Sequence, residues 1–448
     1  MTLAEVLDKF EENNTERVRL AAVDIDGVLR GKYISIEKFK SAADTGLGFC
    51  DVIFGWDIAD ALYDNVSITG WHTGYPDVHA RIDLSSLRMV PWEPGTAFFL
   101  LDLYDNHGNP LAVSPRQVLQ RAVQLAEQRH FRPFAAVEYE FWMFEDTPRT
   151  LREKGFRNLT PLSPGMFGYS VLRASQNSPL VVDLIEQLKG FQVPLEGFHT
   201  ETGPGVYEAA IHVDRAASAA DRAVLFKTAV KEIASRHGVT PTFMAKWNTD
   251  LPGSSGHLHQ SLWSSDGKEN LFFDRERRMS SLMNHYIAGL IQFMPELQVM
   301  YCPTVNSYKR TVPGTWAPVN ATWGLDNRTT AVRAISGSEK STRVELRLTG
   351  ADINPYLALA ASLAAGLEGI EQRLEAPAPT TNAYMAREAP PLAANLPEAT
   401  TRFQSSAVAR KWLGDAFVDH YAATRRWEAR QFERAVTDWE LARYLESI

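Results

Sequence analysis

The stretch FAAVEYEFWMF, Phe134–Phe144, alternates polar and apolar side chains around Glu138 and Glu140 and then turns wholly apolar. That pattern reads as a β-strand running into a core, with both carboxylates on one face and Tyr139 on the other. Like charges held this close repel, and burying them is costly unless a cation lies beside them. Taken alone, the pair fits a solvated strand face as well as a ligand pair. The neighbouring segments have to decide between the two.

Upstream, Ser114-Pro115-Arg116-Gln117 reads as a helix start, with Ser at the N-cap, Pro first and Gln closing a capping box, and a helix follows over Arg116–Arg129. Downstream come a helix (Leu180–Lys189), a strand (GVYEAAIHVD, 205–214) and a helix (Ala216–His237). A glycine-rich loop then leads into HLHQSLW (257–263), a helix (Leu282–Met294), a strand (TRVELRLTG, 342–350) and a helical C-terminus. Before all of these, VRLAAVDIDGVLRGKYISI (18–36) reads as a hairpin turning at Asp26-Gly27, and GTAFFLLDLYD (95–105) as a buried strand. Strands separated by helices give an α+β class. We expect a small β-rich N-terminal domain over 1–108 and a larger catalytic domain over 109–448, with a Pro/Ala-rich loop at 375–391.

Bulk properties narrow the partners. The 448 residues are 45% hydrophobic and 22% charged, which excludes a disordered chain, and the net charge of −8 argues against a general nucleic-acid binder. Two cysteines, Cys50 and Cys302, make no disulfide framework and fit a reducing compartment. The first residues lack the basic flank and apolar run of a signal peptide, and the longest apolar run, YLALAASLAAGL, is too short to cross a bilayer. The expectation is a cytoplasmic protein with neither membrane nor nucleic acid as partner.

Three further stretches carry polar side chains in patterns that suit chemistry. HTETGPGVYEAAIH (199–212) sets Glu201 and Glu208 on either side of a Gly-Pro-Gly turn that can fold one beside the other, although a surface turn explains them too; His199 and His212 read as structural. PGSSGHLHQS (252–261) puts His257 and His259 on one strand face after a loop of Gly and Ser, which suits a divalent metal or an oxyanion. No phosphate-binding loop of the G-x-x-x-x-G-K-[ST] type is present. In STRVELRLTG (341–350), Arg343, Glu345 and Arg347 share a face, as a salt-bridge ladder or as the lining of a cleft. Between them, KRTVPGTWAPVNATWGLDNRTTAVR (309–333) crowds Lys309, Arg310, Arg328 and Arg333 around Trp316. In an acidic chain such a loop reads as a lid over a small anion.

Each signal is modest, but their order is specific: E-x-E, E-x6-E, G-x-x-G-H-x-H, K-R-x-x-P-G, N-R-x4-R, R-x-E-x-R and finally Asn354-Pro355-Tyr356. The chain resembles the glutamine synthetase family over essentially its whole length. The resemblance implies a β-grasp-like N-terminal domain and a catalytic domain with a curved antiparallel sheet and helices. It implies ATP as a substrate and two or three Mg²⁺ or Mn²⁺ ions, one held by Glu140, Glu201 and Glu208 and another by Glu138, His257 and Glu345. Arg328, Arg333 and Arg343 match phosphate-contacting arginines, with His259, Ser261 and Lys340 on the nucleotide side. Arg310, Arg347 and Gly253 match the glutamate site. The reaction implied is phosphorylation of the γ-carboxylate of glutamate by ATP, then displacement of phosphate by an amine. Rings of subunits, a dodecamer of two stacked hexamers with active sites at subunit interfaces, are implied as well.

Two departures bear on the amine. The family's flap reads P-G-x-E-A-P in ammonia-using members and PGTWAP here, so Trp316 stands where a carboxylate would meet ammonium. Pro252 replaces an Asn five residues before the metal histidine, and NAYMAREAPPL is not close to the family's N-L-Y-D-L-P. These changes resemble the branch that makes γ-glutamyl amides from methylamine, polyamines, ethanolamine or isopropylamine. Tyr169 and Asp57 match amine-pocket positions, and Asp57, Glu201, Arg328 and Trp316 are the expected catalytic set. A short alkyl group suits a Trp cap, so methylamine is the expected substrate; a polyamine would call on distal acids such as Asp183 and Glu186. Plain glutamine synthesis and a non-catalytic scaffold are the alternatives, the scaffold opposed by the retention of every metal and arginine position.

Overall fold

Asp26 and Gly27 reverse the chain, Gly27 at φ 82°, a left-handed conformation that glycine adopts without a Cβ clash. The turn joins antiparallel strands Arg17–Val23 and Leu29–Ile34, as the sequence leads one to expect. Arg17–Val23 then pairs in parallel with Thr96–Tyr104, which is also bonded to Asp77–Ile82, and Leu47–Cys50 closes the far edge. Helices Leu3–Glu12 and Ile36–Thr45 cover this six-stranded sheet. They do so because Phe10, Phe39 and Phe99 meet in one aromatic cluster, with ring centroids 5.0 to 6.2 Å apart. The computed structural model describes residues 1–276 and 278–448.

A second sheet of nine strands forms the body of the chain. Its centre is Gly256–Ser264, antiparallel to Phe131–Phe144 on one side and to Arg343–Leu346 on the other. Val206–Ile211 and Leu195–Thr200 extend it one way, and Val332–Ile335 with Trp323–Leu325 the other. The sheet is antiparallel except where Trp323–Leu325 runs parallel to Val332–Ile335. One face is apolar: Val137, Tyr139, Phe141, Leu258, Val344 and Leu346 are buried in the core. Phe226, from helix Ala216–Arg236, stacks on Tyr139 at 5.9 Å. Helices Ser281–Tyr301 and Pro355–Glu371 add to the same core. Because side chains alternate along a strand, the opposite face is left to the polar residues.

Two local expectations are corrected. The Ser114 hydroxyl caps nothing, and Gln117 does not close a box; its side-chain oxygen accepts from the Leu111 amide at 3.0 Å. Gln117 is buried, and serving an amide there outweighs capping. The helix expected to end at Met294 runs on to Tyr301, through Pro295. Proline removes one intrahelical bond, but Leu297, Val299 and Met300 bury on the far side and offset that loss.

Buried charge joins the two sheets. The Arg116 guanidinium donates to Asp83 at 2.6 Å, Asp102 at 2.7 Å and Asp221 at 2.9 Å, and the Tyr356 hydroxyl donates to Asp221 at 2.6 Å. Asn354 bonds the carbonyls of Asp24 and Ile25, both at 3.2 Å, at the hairpin turn. The Asn-Pro-Tyr motif therefore pins the N-terminal hairpin onto the helical core. Arg116→Met is expected to lower unfolding free energy by about 3–5 kcal/mol, since it leaves Asp221 buried without its cation. Denaturant titration checks this, and a loss near zero would remove Arg116 from any structural role.

Candidate active site

Strand register assembles the site on the polar face. Glu138 lies opposite His257, His259 opposite Glu345, and Glu345 opposite Arg333. On the other flank Glu140 lies opposite Glu208, and Glu208 opposite His199. Directly paired residues have Cβ atoms about 4.5–5.5 Å apart, so segments far apart along the chain bring their acids into reach.

Two groups result, each with three ligand atoms lying within 4.8 Å of one another. Glu138, His259 and Glu345 form the first, and His199, Glu201 and Glu208 the second. His257 joins the first as well, its Nδ1 lying 3.2 Å from Glu138 and 3.3 Å from Glu345. Glu140 stands beside the second group and accepts from the Ser255 amide at 2.6 Å. His199, which reads from the sequence as structural, is a member: its Nε2 is 3.0 Å from Glu208. The available signal is its place two residues before Glu201, near the end of strand Leu195–Thr200.

Electrostatics show what the groups require. Burial, with repulsion from Glu138 and Glu140, pushes the Glu208 carboxyl up to about 7 against the opposing pull of His199. Burial also works against charge on Glu345, but His257, His259, Arg347 and Arg333 hold it down at about 2. Burial likewise opposes charge on Glu138, where bonds to His257 and His259 win and hold it well below the usual range. Crowded carboxylates with imidazoles at hand form a donor set that fits Mg²⁺ or Mn²⁺.

Cations border the acids. Arg333 donates to Glu345 at 3.0 Å and to Asp326, and Arg347 pairs with the other Glu345 oxygen. Arg343 Nε donates to His259 Nδ1 at 3.2 Å. Among the described residues the Arg328 guanidinium makes no hydrogen bond or ion pair, and Lys340 stands exposed on its turn. Ser261 is buried, and its hydroxyl accepts from the Trp263 indole at 2.9 Å. Arg310 is buried and donates to the carbonyls of Leu348 and Arg347 at 3.0 and 3.3 Å. Gly253 packs on it: a Cβ there would stand 2.6 Å from Arg310 Cγ and 2.6 Å from the Ala245 carbonyl oxygen. Only glycine lets the loop approach this arginine.

The remaining expected residues divide. Tyr169 stacks on His199 with centroids 4.3 Å apart, which brings it beside the second acid group. Asp57 is not gathered with the acids; its oxygens accept from the amides of Ala59 and Ala61 and from the Trp427 indole at 3.1 Å. Trp316 is 67% exposed on its loop, and its ring touches no other ring among the described residues. Asp183 accepts from His237 at 2.7 Å and from Gln187 at 3.0 Å, bonds of a helix surface. No helix among the described residues is long and apolar enough to cross a membrane.

Comparison with known proteins agrees with this geometry. The glutamine synthetase catalytic-domain family matches residues 112–444. The chain is 48% identical over 450 residues to type-1 glutamine synthetase 2 of Dictyostelium discoideum, covering 99% of this chain and 86% of that one. It is 42% identical over 452 residues to a glutamate–isopropylamine ligase of Pseudomonas sp, covering 100% and 98%. Among solved structures, a GmaS–ADP complex superposes with a TM-score of 0.86 at 28% identity over 99% of both chains.

Proposed function

The chain belongs to the glutamine synthetase family, the ATP-dependent ligases of glutamate with ammonia or an amine, and from that premise we propose that its own amine is a short primary alkylamine, methylamine first. The observation that carries the choice is Trp316 at the flap position where ammonia-using members keep a glutamate. A bulky apolar side chain there offers a methyl group burial and dispersion, and offers a bare ammonium ion no counter-charge. The isopropylamine ligase among the relatives supports an alkylamine, and the name of the Dictyostelium relative supports ammonia.

In the proposed mechanism Arg310 and Arg347 hold the glutamate carboxylates, with Gly253 keeping the loop close. Arg328, Arg333 and Arg343 surround the terminal phosphoryl of ATP, with His259, Ser261 and Lys340 on the nucleotide side. A γ-carboxylate oxygen attacks that phosphorus and ADP leaves, giving γ-glutamyl phosphate. The amine nitrogen then attacks the acyl carbon, phosphate leaves, and the amine proton passes to Asp57 or Glu201. Mg²⁺ or Mn²⁺ held by Glu140, Glu201 and Glu208 and by Glu138, His257 and Glu345 would neutralise the phosphates. His199 is placed to orient Glu208.

We assign residues 1–108 to an N-terminal domain and 109–448 to the catalytic unit. The proposed assembly is a cytoplasmic dodecamer of stacked hexameric rings, in which Asp57 serves the neighbouring subunit's site. That reading fits the separation of Asp57 from the acids of its own chain. Mixing Asp57→Ala with Glu138→Ala subunits, each inactive alone, is expected to restore part of the activity after reassembly. Hybrids proven to form but showing no recovery would count against a shared site.

The test of function is an amine panel with ATP, Mg²⁺ and glutamate, reading phosphate release. Methylamine is expected to outrun ammonia. ADP formed at full rate without amine would instead indicate a hydrolase, and no ADP with any amine a scaffold.

A further inference from the structure

Trp316 holds φ 60°, a left-handed conformation that a bulky side chain keeps only where its surroundings impose it. Its neighbours in the loop supply little. Within 312–317 the Thr315 hydroxyl bonds the Val312 carbonyl at 2.7 Å, a contact internal to the loop. From outside, one side chain hydrogen-bonds to it among the described residues: the Tyr384 hydroxyl, which donates to the Ala317 carbonyl at 3.4 Å. That bond ties the residue next to Trp316 to a side chain from another segment.

Tyr384 is itself anchored. Asn382 accepts from the Tyr384 amide at 3.1 Å, and Asn320 donates to the carbonyls of Ala383 and Ala386 at 3.0 and 3.1 Å. The Ala383 amide donates to Thr329 at 3.2 Å, and Asn327 donates to Thr380 at 2.8 Å. The Pro/Ala-rich segment is thus tied both to the end of the flap and to the turn that carries Arg328.

We propose that the Tyr384 hydroxyl is the latch that fixes the flap backbone at Trp316, and so sets where the indole stands over the amine. Tyr384 is a positioning residue that acts through Trp316. The inference rests on the amine-ligase reading for its effect on selectivity, and on geometry alone for its effect on the loop.

Tyr384→Phe keeps the ring and removes the oxygen. One hydrogen bond of this kind corresponds to about a fivefold effect. The expected result is an amine KM raised about fivefold and amine-independent ATP hydrolysis raised by a similar factor, with the KM for ATP and the Tm unchanged. In a Trp316→Gly background, where glycine adopts the left-handed conformation unaided, the same change is expected to move amine KM by less than about twofold. Faster amide hydrogen exchange at Gly314 and Trp316 in Tyr384→Phe reads the latch directly, whatever the amine. Wild-type exchange at those amides, equal effects in both backgrounds, or a lower Tm with unchanged amine KM would each overturn the proposal. Should no amine stimulate the wild type while exchange still rises, the amine reading fails and the latch stands.

Discussion

Glu345→Gln is expected to abolish phosphate release from ATP while leaving the subunit folded and assembled. Glu345 is 1% exposed, and its two oxygens serve three cationic or imidazole groups: His257 at 3.3 Å, Arg333 at 3.0 Å, and Arg347. Those neighbours hold its pKa at about 2, below its unfolded value, so it is ionised throughout the working pH range. The stability it contributes is present above about pH 4 and is lost only as pH falls toward 2. Gln retains the volume and loses the charge shared by Arg333, Arg347 and the proposed metal site. Loss of one preorganised electrostatic group typically reduces kcat about 10²–10³-fold, and loss of a metal ligand adds to that. Glu345→Ala should be equally inactive but less stable, by about 3–5 kcal/mol, because Arg347 remains buried without its counter-ion and without the acceptor that Gln keeps. Phosphate release, Mn²⁺ calorimetry and size exclusion check the result together. Wild-type turnover or Mn²⁺ affinity in the Gln variant would take Glu345 out of the metal-holding group.

Glu345 is legible from the sequence because of strand parity. Glu138 and Glu140 lie two apart, as do His257 and His259, and Glu345 lies two from both Arg343 and Arg347. On a strand that spacing alone fixes a shared face. Which face meets which is another matter. Register between Phe131–Phe144, Val206–Ile211 and Gly256–Ser264 is set by packing of their apolar faces on distant helices, and no local signal carries it. His199 escapes a sequence reading for this reason: its partner Glu208 comes from the next strand. Tyr384 escapes it for a different one, since a Pro/Ala-rich loop has no period from which a contact can be inferred. Helix ends mislead where tertiary burial outweighs local preference, at Gln117 and beyond Pro295.

Methylamine is expected to exceed ammonia in kcat/KM by at least about ten- to two-hundredfold, the worth of one methyl group in an apolar pocket at about 1–3 kcal/mol. Both amines are protonated in solution and both must lose a proton before attack, so proton affinity does not separate them and the pocket has to. Trp316 removes the flap carboxylate that would hold a bare ammonium ion and supplies an indole that a methyl group can pack against. On the proposed reading the same indole would screen γ-glutamyl phosphate from water. Trp316→Ala is therefore expected to narrow the preference and to raise amine-independent ATP hydrolysis, two effects of one lost wall. Trp316→Glu is expected to shift preference toward ammonia, and incompletely, because Pro252 also departs from the ammonia-using pattern and lies beside Gly253, which packs on Arg310. Under the proposed Tyr384 latch both variants are expected to keep the backbone bend at this position, so that the comparison isolates the side chain. Rates for methylamine, isopropylamine, ethanolamine, a polyamine and ammonia, measured on wild type and both variants, check the argument. A wild type that uses ammonia as well as any alkylamine would make Trp316 an unusual flap residue of an ordinary glutamine synthetase.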